Sequence, residues 1–258
     1  MREWLNIRPG ELRPLFLAMA AVFFLLAFMV LSRSLREALF LTRFDIGRLP
    51  LMMGVVVLVN LLAVGQFSRL LVRFKPRSIL TGLVLVQVVG LIILWVLIPV
   101  TNLAIGGLYV WTTMGSLLMA SGFWVLAAEI FLLRDAKRLF SLIGAGGTLG
   151  AMATGFSISW VTRQMDLPWL VLFSAILPLF FLGLVHLLPG PRSEATPPAQ
   201  AEGGLALVKV SRTVWSNRHL RVMAGIIFLA TLVMTLVDFQ FKEMAQARFV
   251  EGPGLAGF

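Results

Sequence analysis

The chain has 258 residues, of which 59% are hydrophobic and only 13% are charged, and its mean hydropathy is +0.93. A soluble domain carries about 25% charged residues, because its surface needs them. This composition therefore excludes a soluble globular domain. The net charge is +10, but the basic residues stand between apolar blocks and not in one stripe with aromatic residues, which argues against a nucleic-acid partner.

Seven apolar blocks are each long enough to cross about 30 Å of hydrocarbon as a helix. They cover residues 15–41, 49–72, 79–100, 103–133, 139–161, 167–188 and 222–241. The N-terminus lacks the short apolar region and cleavage site of a signal peptide, so the first block is expected to stay in the protein. The sequence predicts an all-α polytopic membrane protein with the lipid bilayer as its partner.

The orientation follows from the distribution of Lys and Arg, which are retained on the cytoplasmic side. Fifteen of them lie on the N-terminal side of the predicted spans and seven on the other side. We therefore expect a cytoplasmic N-terminus. The basic clusters 69–77 and 134–138 are most simply topology determinants, with a gating network at the cytoplasmic mouth as the sharper alternative.

Residues 189–220 break the apolar pattern with Pro, Gly, Ala, Ser and Glu, and they predict a flexible cytoplasmic linker. Six spans before a basic linker and one after it are how a duplicated six-plus-six transporter begins. The predicted domains are thus a bundle at 1–188, the linker, and the first span of a second bundle at 221–258. Since the chain ends soon afterwards, we expect this second bundle to be truncated.

Charged residues at membrane depth cost a few kcal/mol each and need a reason. Arg33, Arg36 and Glu37 are spaced i, i+3 and i+4, so they share one face of the first helix. One interpretation is a cationic lining for an anionic substrate, with Glu37 holding one arginine. The other is that the arginines reach outward to lipid headgroups.

Three further charged residues lie in or beside apolar segments. Asp238 and Lys242 are i, i+4 late in the seventh span, and they predict either a helix-end pair or a second wall of the same path. Glu129 is surrounded by apolar residues in the fourth span. It would bind a substrate group, relay a proton, or form a structural lock with Arg134 or Arg138.

The fifth span contains GAGGTLGAMATG, in which Gly144 opens a run of small residues. A dinucleotide-binding loop needs a preceding strand in a soluble domain, which the neighbouring apolar spans exclude. The spacing instead predicts a face for close helix packing. The small residues that define it are Gly146, Gly147, Gly150 and Gly155. Trp111, Trp160 and Trp169 lie near predicted span ends, as interfacial anchors do.

Three segments resemble motifs of the ATP/ADP translocase (nucleotide transporter) family, a branch of the major facilitator-type architecture. Residues 33–39 (RSLREAL) are similar to R-D-x-K-D-x-L, and 238–243 (DFQFKE) to D-x-x-F-K-E. Residues 123–129 (FWVLAAE), followed by AKRLF and Gly144, resemble F-W-x-x-A-N-E…A-K-R-F…G. Two positions depart from the pattern, since Arg36 replaces a lysine and Ala128 an asparagine.

The resemblance implies a major facilitator-like six-helix bundle in a bacterial inner membrane. It assigns the substrate-binding cation to Arg36, the essential carboxylate to Glu129 and the pseudo-repeat cation to Lys242. The departures favour a divergent bacterial member over a strict ATP/ADP exchanger. The leading hypothesis is a secondary carrier of an anionic metabolite, with a nucleotide such as ATP or ADP expected, working by alternating access.

The alternative hypothesis is a non-transporting membrane scaffold or regulatory protein with a carrier-derived fold. An enzyme is not expected, because the sequence has no nucleophile–base pair and no metal-ligand spacing. With no cysteine and with His186 and His219 far apart, we also expect no metal and no cofactor.

Overall fold

The computed structural model describes residues 12–44, 46–131, 133–190 and 215–248, with only the backbone described at 46, 133–137, 242, 243 and 245–248. This part of the chain contains helices and no strand. The helices are α1 (Leu12–Arg43), α2 (Leu49–Arg73), α3 (Pro76–Leu97), α4 (Leu103–Ile130), α5 (Leu133–Gln164), α6 (Leu167–Ser174), α7 (Ile176–Leu187) and α8 (Arg218–Arg248). A 3-10 turn, Ile46–Arg48, joins α1 to α2.

Seven helical segments in the described residues are long and apolar enough to cross a membrane, with α6 and α7 together forming the sixth. The shortest segment has 21 residues, and about 20 residues of helix span the hydrocarbon core. The predicted all-α polytopic membrane protein is confirmed at this level. The predicted linker lies largely in 191–214, outside the described residues.

Helix α1 is the centre of the bundle and packs against α4, α5 and α7. Its buried side chains include Leu25, Phe28 and Leu35, which are at most 2% exposed. Phe123 of α4 and Phe181 of α7 are equally buried and join Phe28 in one apolar core. Packing of this density holds the charged face of α1 in a fixed position relative to α4.

The contact between α1 and α5 depends on glycine. A Cβ at Gly146 would lie 2.6 Å from the Met19 carbonyl oxygen, and one at Gly150 would overlap the Phe23 carbonyl oxygen. Gly147 lies in the same contact, against the side chain of Val22. Small residues thus let the two backbones approach closely, as in other membrane helix pairs.

Gly155 does not belong to this contact, although the spacing predicts that it does. A Cβ built there would meet nothing within 4 Å, because Gly155 lies on an exposed face of α5. The prediction of close packing therefore holds for the first part of the small-residue face only.

The prediction for Trp111 is corrected by the contact between α3 and α4. The indole ring of Trp111 lies against Gly90, and its Nε1 donates to the Gln87 carbonyl oxygen at 3.3 Å. In turn, the Gln87 side chain lies against Gly115 of α4. Trp111 is therefore a helix-packing residue and not an interfacial anchor.

Two helix boundaries differ from the prediction. Helix α4 ends at Ile130, where Phe131 turns extended, and α5 already begins at Leu133. The basic cluster 134–138, which lies between two predicted spans, is thus helical. The sixth span is broken at Ala175, because Pro178 lacks the N–H that would bond to residue 174 and its ring crowds that carbonyl group.

Helix α8 lies beside the bundle and contacts it at one end. Every side chain of α8 from 218 to 237 is exposed, whereas Asp238 and Phe239 are partly buried. Phe239 packs against the main apolar core, and α8 also contacts the 3-10 turn Ile46–Arg48. The charged end of α8 is thereby placed next to the charged face of α1.

Candidate functional site

Four helices surround a cavity of about 340 Å³ that contains most of the predicted charged residues. Each helix contributes side chains with helical spacing, which places them on one face. The cavity is lined by Arg33, Arg36 and Glu37 of α1, Met53, Val56 and Val57 of α2, Tyr109 and Thr113 of α4, and Met234, Thr235 and Asp238 of α8. It thus combines an apolar wall from α2 with charged walls from α1 and α8.

The depth of the arginines follows from the rise of the helix. Arg36 precedes the end of α1 at Arg43 by seven residues, and Arg33 by ten. At 1.5 Å per residue these distances are about 10 Å and 15 Å along the helix axis. Both arginines therefore lie inside the apolar segment, where a charge needs a partner.

Arg33 has two carboxylate partners. Its Nε lies 3.2 Å from Glu37 Oε1 on the same helix, and its Nη2 lies 2.8 Å from Asp238 Oδ1 on α8. The Arg33 side chain is 54% exposed, whereas Asp238 is 28% and Glu37 18% exposed. One guanidinium thus pairs with two carboxylates and joins α1 to α8.

Arg36 has a different environment. Its guanidinium carbon lies 4.9 Å from the centroid of the Tyr109 ring, a cation–π distance. It forms no ion pair with any described residue, and its buried Nε has no hydrogen-bond partner among them. Arg36 is therefore a cation of this cavity that forms no ion pair with a described carboxylate.

Tyr109 is held between two residues of α1. On one side is the guanidinium of Arg36, and on the other is Phe40, whose ring centroid is 5.6 Å away in an edge-to-face arrangement. Arg36 and Phe40 are i, i+4, so both reach the same ring from one helix face. The ring fixes where Arg36 can point.

The sequence patterns did not predict Tyr109 or Thr113 as site residues. The signal was present, because Tyr109 is the single tyrosine of the chain and Thr113 follows it at i+4 within an apolar span. Such a pair places polar groups on one helix face. The Thr113 hydroxyl donates to the Tyr109 carbonyl oxygen at 2.6 Å, so it offers the cavity an acceptor.

Two predicted site residues are not brought into this cavity by the described contacts. Glu129 is sixteen residues beyond Thr113 on α4, which is about 24 Å along the axis and near the opposite end of the bundle. Lys242 follows Asp238 by one turn of α8, and its side chain lies outside the described part. The two alternatives for Asp238 and Lys242, a helix-end pair or a second wall of the path, therefore stay predictions.

Comparison with protein-family models finds no family that matches this chain, and comparisons with curated proteins and with solved structures find no significant match. The residues themselves are the basis for a functional conclusion. They form a cavity within the apolar length of the bundle, with one arginine paired to two carboxylates, a second arginine that forms no ion pair with a described residue, and an aromatic ring beneath it.

Proposed function

We propose that the chain belongs to a secondary transporter that moves an anionic metabolite, with a phosphorylated nucleotide as the expected substrate. The observation that carries the proposal is Arg36, a cation at membrane depth that faces a cavity without a carboxylate partner among the described residues. A cation in this position that forms no ion pair is costly. An anion that enters the cavity would supply the missing partner.

The size of the cavity supports a small-molecule substrate. A volume of about 340 Å³ lies within the range of known ligand pockets, which is about 300–1,000 Å³. The guanidinium of Arg36 offers planar, paired donors that match a phosphate group. Apolar side chains of α2, such as Val56 and Val57, would contact the less polar part of the substrate.

The ion pair between Arg33 and Asp238 supports alternating access. It connects α1 of the first bundle to α8, which we assign to a second bundle of a major facilitator-like architecture. In this arrangement the substrate cavity lies between the bundles. Breaking and remaking contacts such as this pair is how one bundle rocks against the other. We place the N-terminus in the cytoplasm and the cavity in the outer half of the membrane.

The test is uptake of labelled ATP and ADP by proteoliposomes that contain the protein. Arg36→Ala should abolish uptake, and Lys242→Ala should reduce it strongly if Lys242 completes the site. Arg73→Ala is the matched control, since Arg73 is an exposed arginine at the end of α2, away from the cavity. Normal transport by Arg36→Ala would reject the site.

A panel of metabolites separates transport from the scaffold alternative. Phosphorylated metabolites should raise the unfolding temperature of the protein, and the unphosphorylated nucleoside should raise it less. Absence of a shift with every compound, together with no uptake, would favour a scaffold or regulatory protein with a carrier-derived fold.

A further inference from the structure

A second and larger cavity, of about 730 Å³, opens where the ends of α1 and α5 meet the start of α6. It is separate from the cavity around Arg36. Its lining residues are Leu39, Thr42, Arg43, Ile98, Ile105, Thr162, Arg163, Gln164, Met165, Asp166, Leu167 and Pro168. Polar groups thus stand beside apolar ones, as they do where a membrane meets water.

The positions of the lining residues along their helices also indicate that the cavity lies where the membrane meets water. Arg43 is the last residue of α1, and Arg163 lies in the last turn of α5. The exposed Trp160 and Trp169 flank the cavity in sequence, and Trp169 pairs with Trp95 at a centroid distance of 5.1 Å. Tryptophan is enriched where hydrocarbon gives way to headgroups. The cavity is therefore at headgroup height.

The charged side chains that line this cavity do not form ion pairs with one another. Arg43, Arg163 and Asp166 form no ion pair within the described part of the chain. Asp166 stands at the start of α6 without forming a side-chain cap bond to it. Two guanidiniums and one carboxylate thus line the same space and are available to a ligand.

The two threonine hydroxyls of the cavity already donate hydrogen bonds within their own helices. Thr42 donates to the Leu39 carbonyl oxygen and Thr162 to the Ile158 carbonyl oxygen, both at 2.9 Å. The donors that remain are the two guanidiniums and the Gln164 amide, whereas the carboxylate of Asp166 is an acceptor. This set fits a ligand that has an anionic group for the arginines and a cationic donor for Asp166.

We propose that this cavity binds a phosphoethanolamine group, supplied by a membrane phospholipid. The phosphate would bind Arg43 and Arg163, since guanidinium and phosphate form charge-assisted hydrogen bonds. The primary ammonium would donate to Asp166. The apolar lining residues Ile98, Ile105 and Leu167 would contact the glycerol and the first acyl carbons.

This inference stands apart from the proposed transport. The lipid would contact the ends of α1, α5 and α6 and would stabilise their arrangement, whatever the inner cavity carries. A lipid that binds the folded protein alone raises its unfolding temperature in proportion to the logarithm of its concentration over Kd. The stability of the protein in detergent is therefore the property to measure.

The experiment measures the unfolding temperature of the detergent-solubilised protein with each of three added lipids. These are phosphatidylethanolamine, phosphatidylcholine and phosphatidylglycerol with identical acyl chains. Phosphatidylethanolamine should raise Tm by about 3 °C more than phosphatidylcholine, whose ammonium has no N–H to donate. Arg43→Gln combined with Arg163→Gln should abolish the difference. Asp166→Asn should remove the preference for phosphatidylethanolamine over phosphatidylglycerol.

Arg48→Gln is the matched control, because Arg48 is an exposed arginine at the same end of the bundle and does not line the cavity. It should keep the full lipid effect. The single variants Arg43→Gln and Arg163→Gln, measured by the number of lipids retained in native mass spectrometry, should each lose bound phosphatidylethanolamine, even where the double variant is too unstable to purify.

Two results would overturn the proposal. One is an equal effect of phosphatidylethanolamine and phosphatidylcholine on the wild type, and the other is a full lipid effect in the double variant. In a separate measurement, soluble phosphoethanolamine is added in place of the lipid. If it alone reproduces the whole shift, a soluble ligand occupies the cavity, and the lipid source is rejected.

Discussion

Arg33 of α1 and Asp238 of α8 form an ion pair at 2.8 Å, although they lie 205 positions apart in the sequence. This pair and the packing of Phe239 are among the contacts that hold the charged end of α8 to the bundle, while the side chains from 218 to 237 are exposed. A partly exposed pair contributes only about 0.5–1 kcal/mol. Such a contact is weak enough to break during a conformational cycle.

The first prediction concerns this pair. Asp238→Asn should loosen α8, because it removes the charge that holds Arg33. The chain has no cysteine, so spin labels placed through Thr42→Cys and Met244→Cys are specific. Pulsed electron–electron double resonance between the two labels should show a broader distance distribution in Asp238→Asn than in the parent.

Asp166→Asn in the same labelled background is the control, since it also neutralises one aspartate but leaves Arg33 paired. Its distance distribution should match the parent. Identical distributions for all three proteins would show that the ion pair does not restrain α8.

The second prediction concerns Tyr109, whose ring lies under the guanidinium of Arg36. Tyr109→Leu removes the ring face, and we expect nucleotide affinity to fall about 5- to 30-fold, since a desolvated cation–π contact contributes about 1–2 kcal/mol. Tyr109→Phe keeps the ring face but loses the hydroxyl that bonds to Arg36, so it should retain more of the affinity than Tyr109→Leu. Kd values from isothermal titration calorimetry give the comparison.

Arg36→Ala serves as the reference for the second prediction. If Tyr109 acts by orienting Arg36, Tyr109→Leu in an Arg36→Ala background should cause no further loss. Independent, additive losses would indicate that the ring contacts the substrate itself.

The spans were largely predictable because each is a long apolar block, and the bilayer imposes helix on every such block. The spacing of Arg33, Arg36 and Glu37 likewise predicted a shared helix face. Their separate roles were not predictable. They depend on Asp238 reaching Arg33 and on Tyr109 lying under Arg36, and both contacts are set by tertiary packing.

Trp111 shows the same limit. A tryptophan near the end of a span has the same sequence signature at a lipid interface and in a helix contact. What distinguishes them is Gly90 on a neighbouring helix, which leaves room for the ring. The break at Ala175 did carry a local signal, Pro178, although proline in a membrane helix does not always interrupt it.

The third prediction concerns Arg77, whose Nη2 donates to the carbonyl oxygens of Leu188 and Pro189 at 2.8 and 2.9 Å. These bonds tie the start of α3 to the end of α7. Arg77→Lys keeps the charge but loses the planar donor geometry. We expect the free energy of unfolding to fall by about 1–2 kcal/mol, measured by denaturation in mixed SDS micelles.

Arg73→Lys provides the comparison for Arg77, because Arg73 is exposed and lies one short connection away. Its stability should be unchanged. An equal loss in both variants would mean that the effect comes from replacing an arginine at this end of the bundle and not from the two hydrogen bonds.

The last prediction uses α5 as its own control. Gly150→Leu would drive a side chain into the Phe23 carbonyl oxygen of α1, and a backbone atom cannot move aside as a flexible side chain can. Overpacking of this kind costs about 2–3 kcal/mol. Gly155→Leu, one and a half turns further along the same helix, meets open space and should leave the unfolding free energy within about 0.5 kcal/mol of the parent. Because both variants make the same chemical change in one helix, a difference between them isolates the contact between α1 and α5. Equal stabilities would show that this close approach does not hold the bundle together.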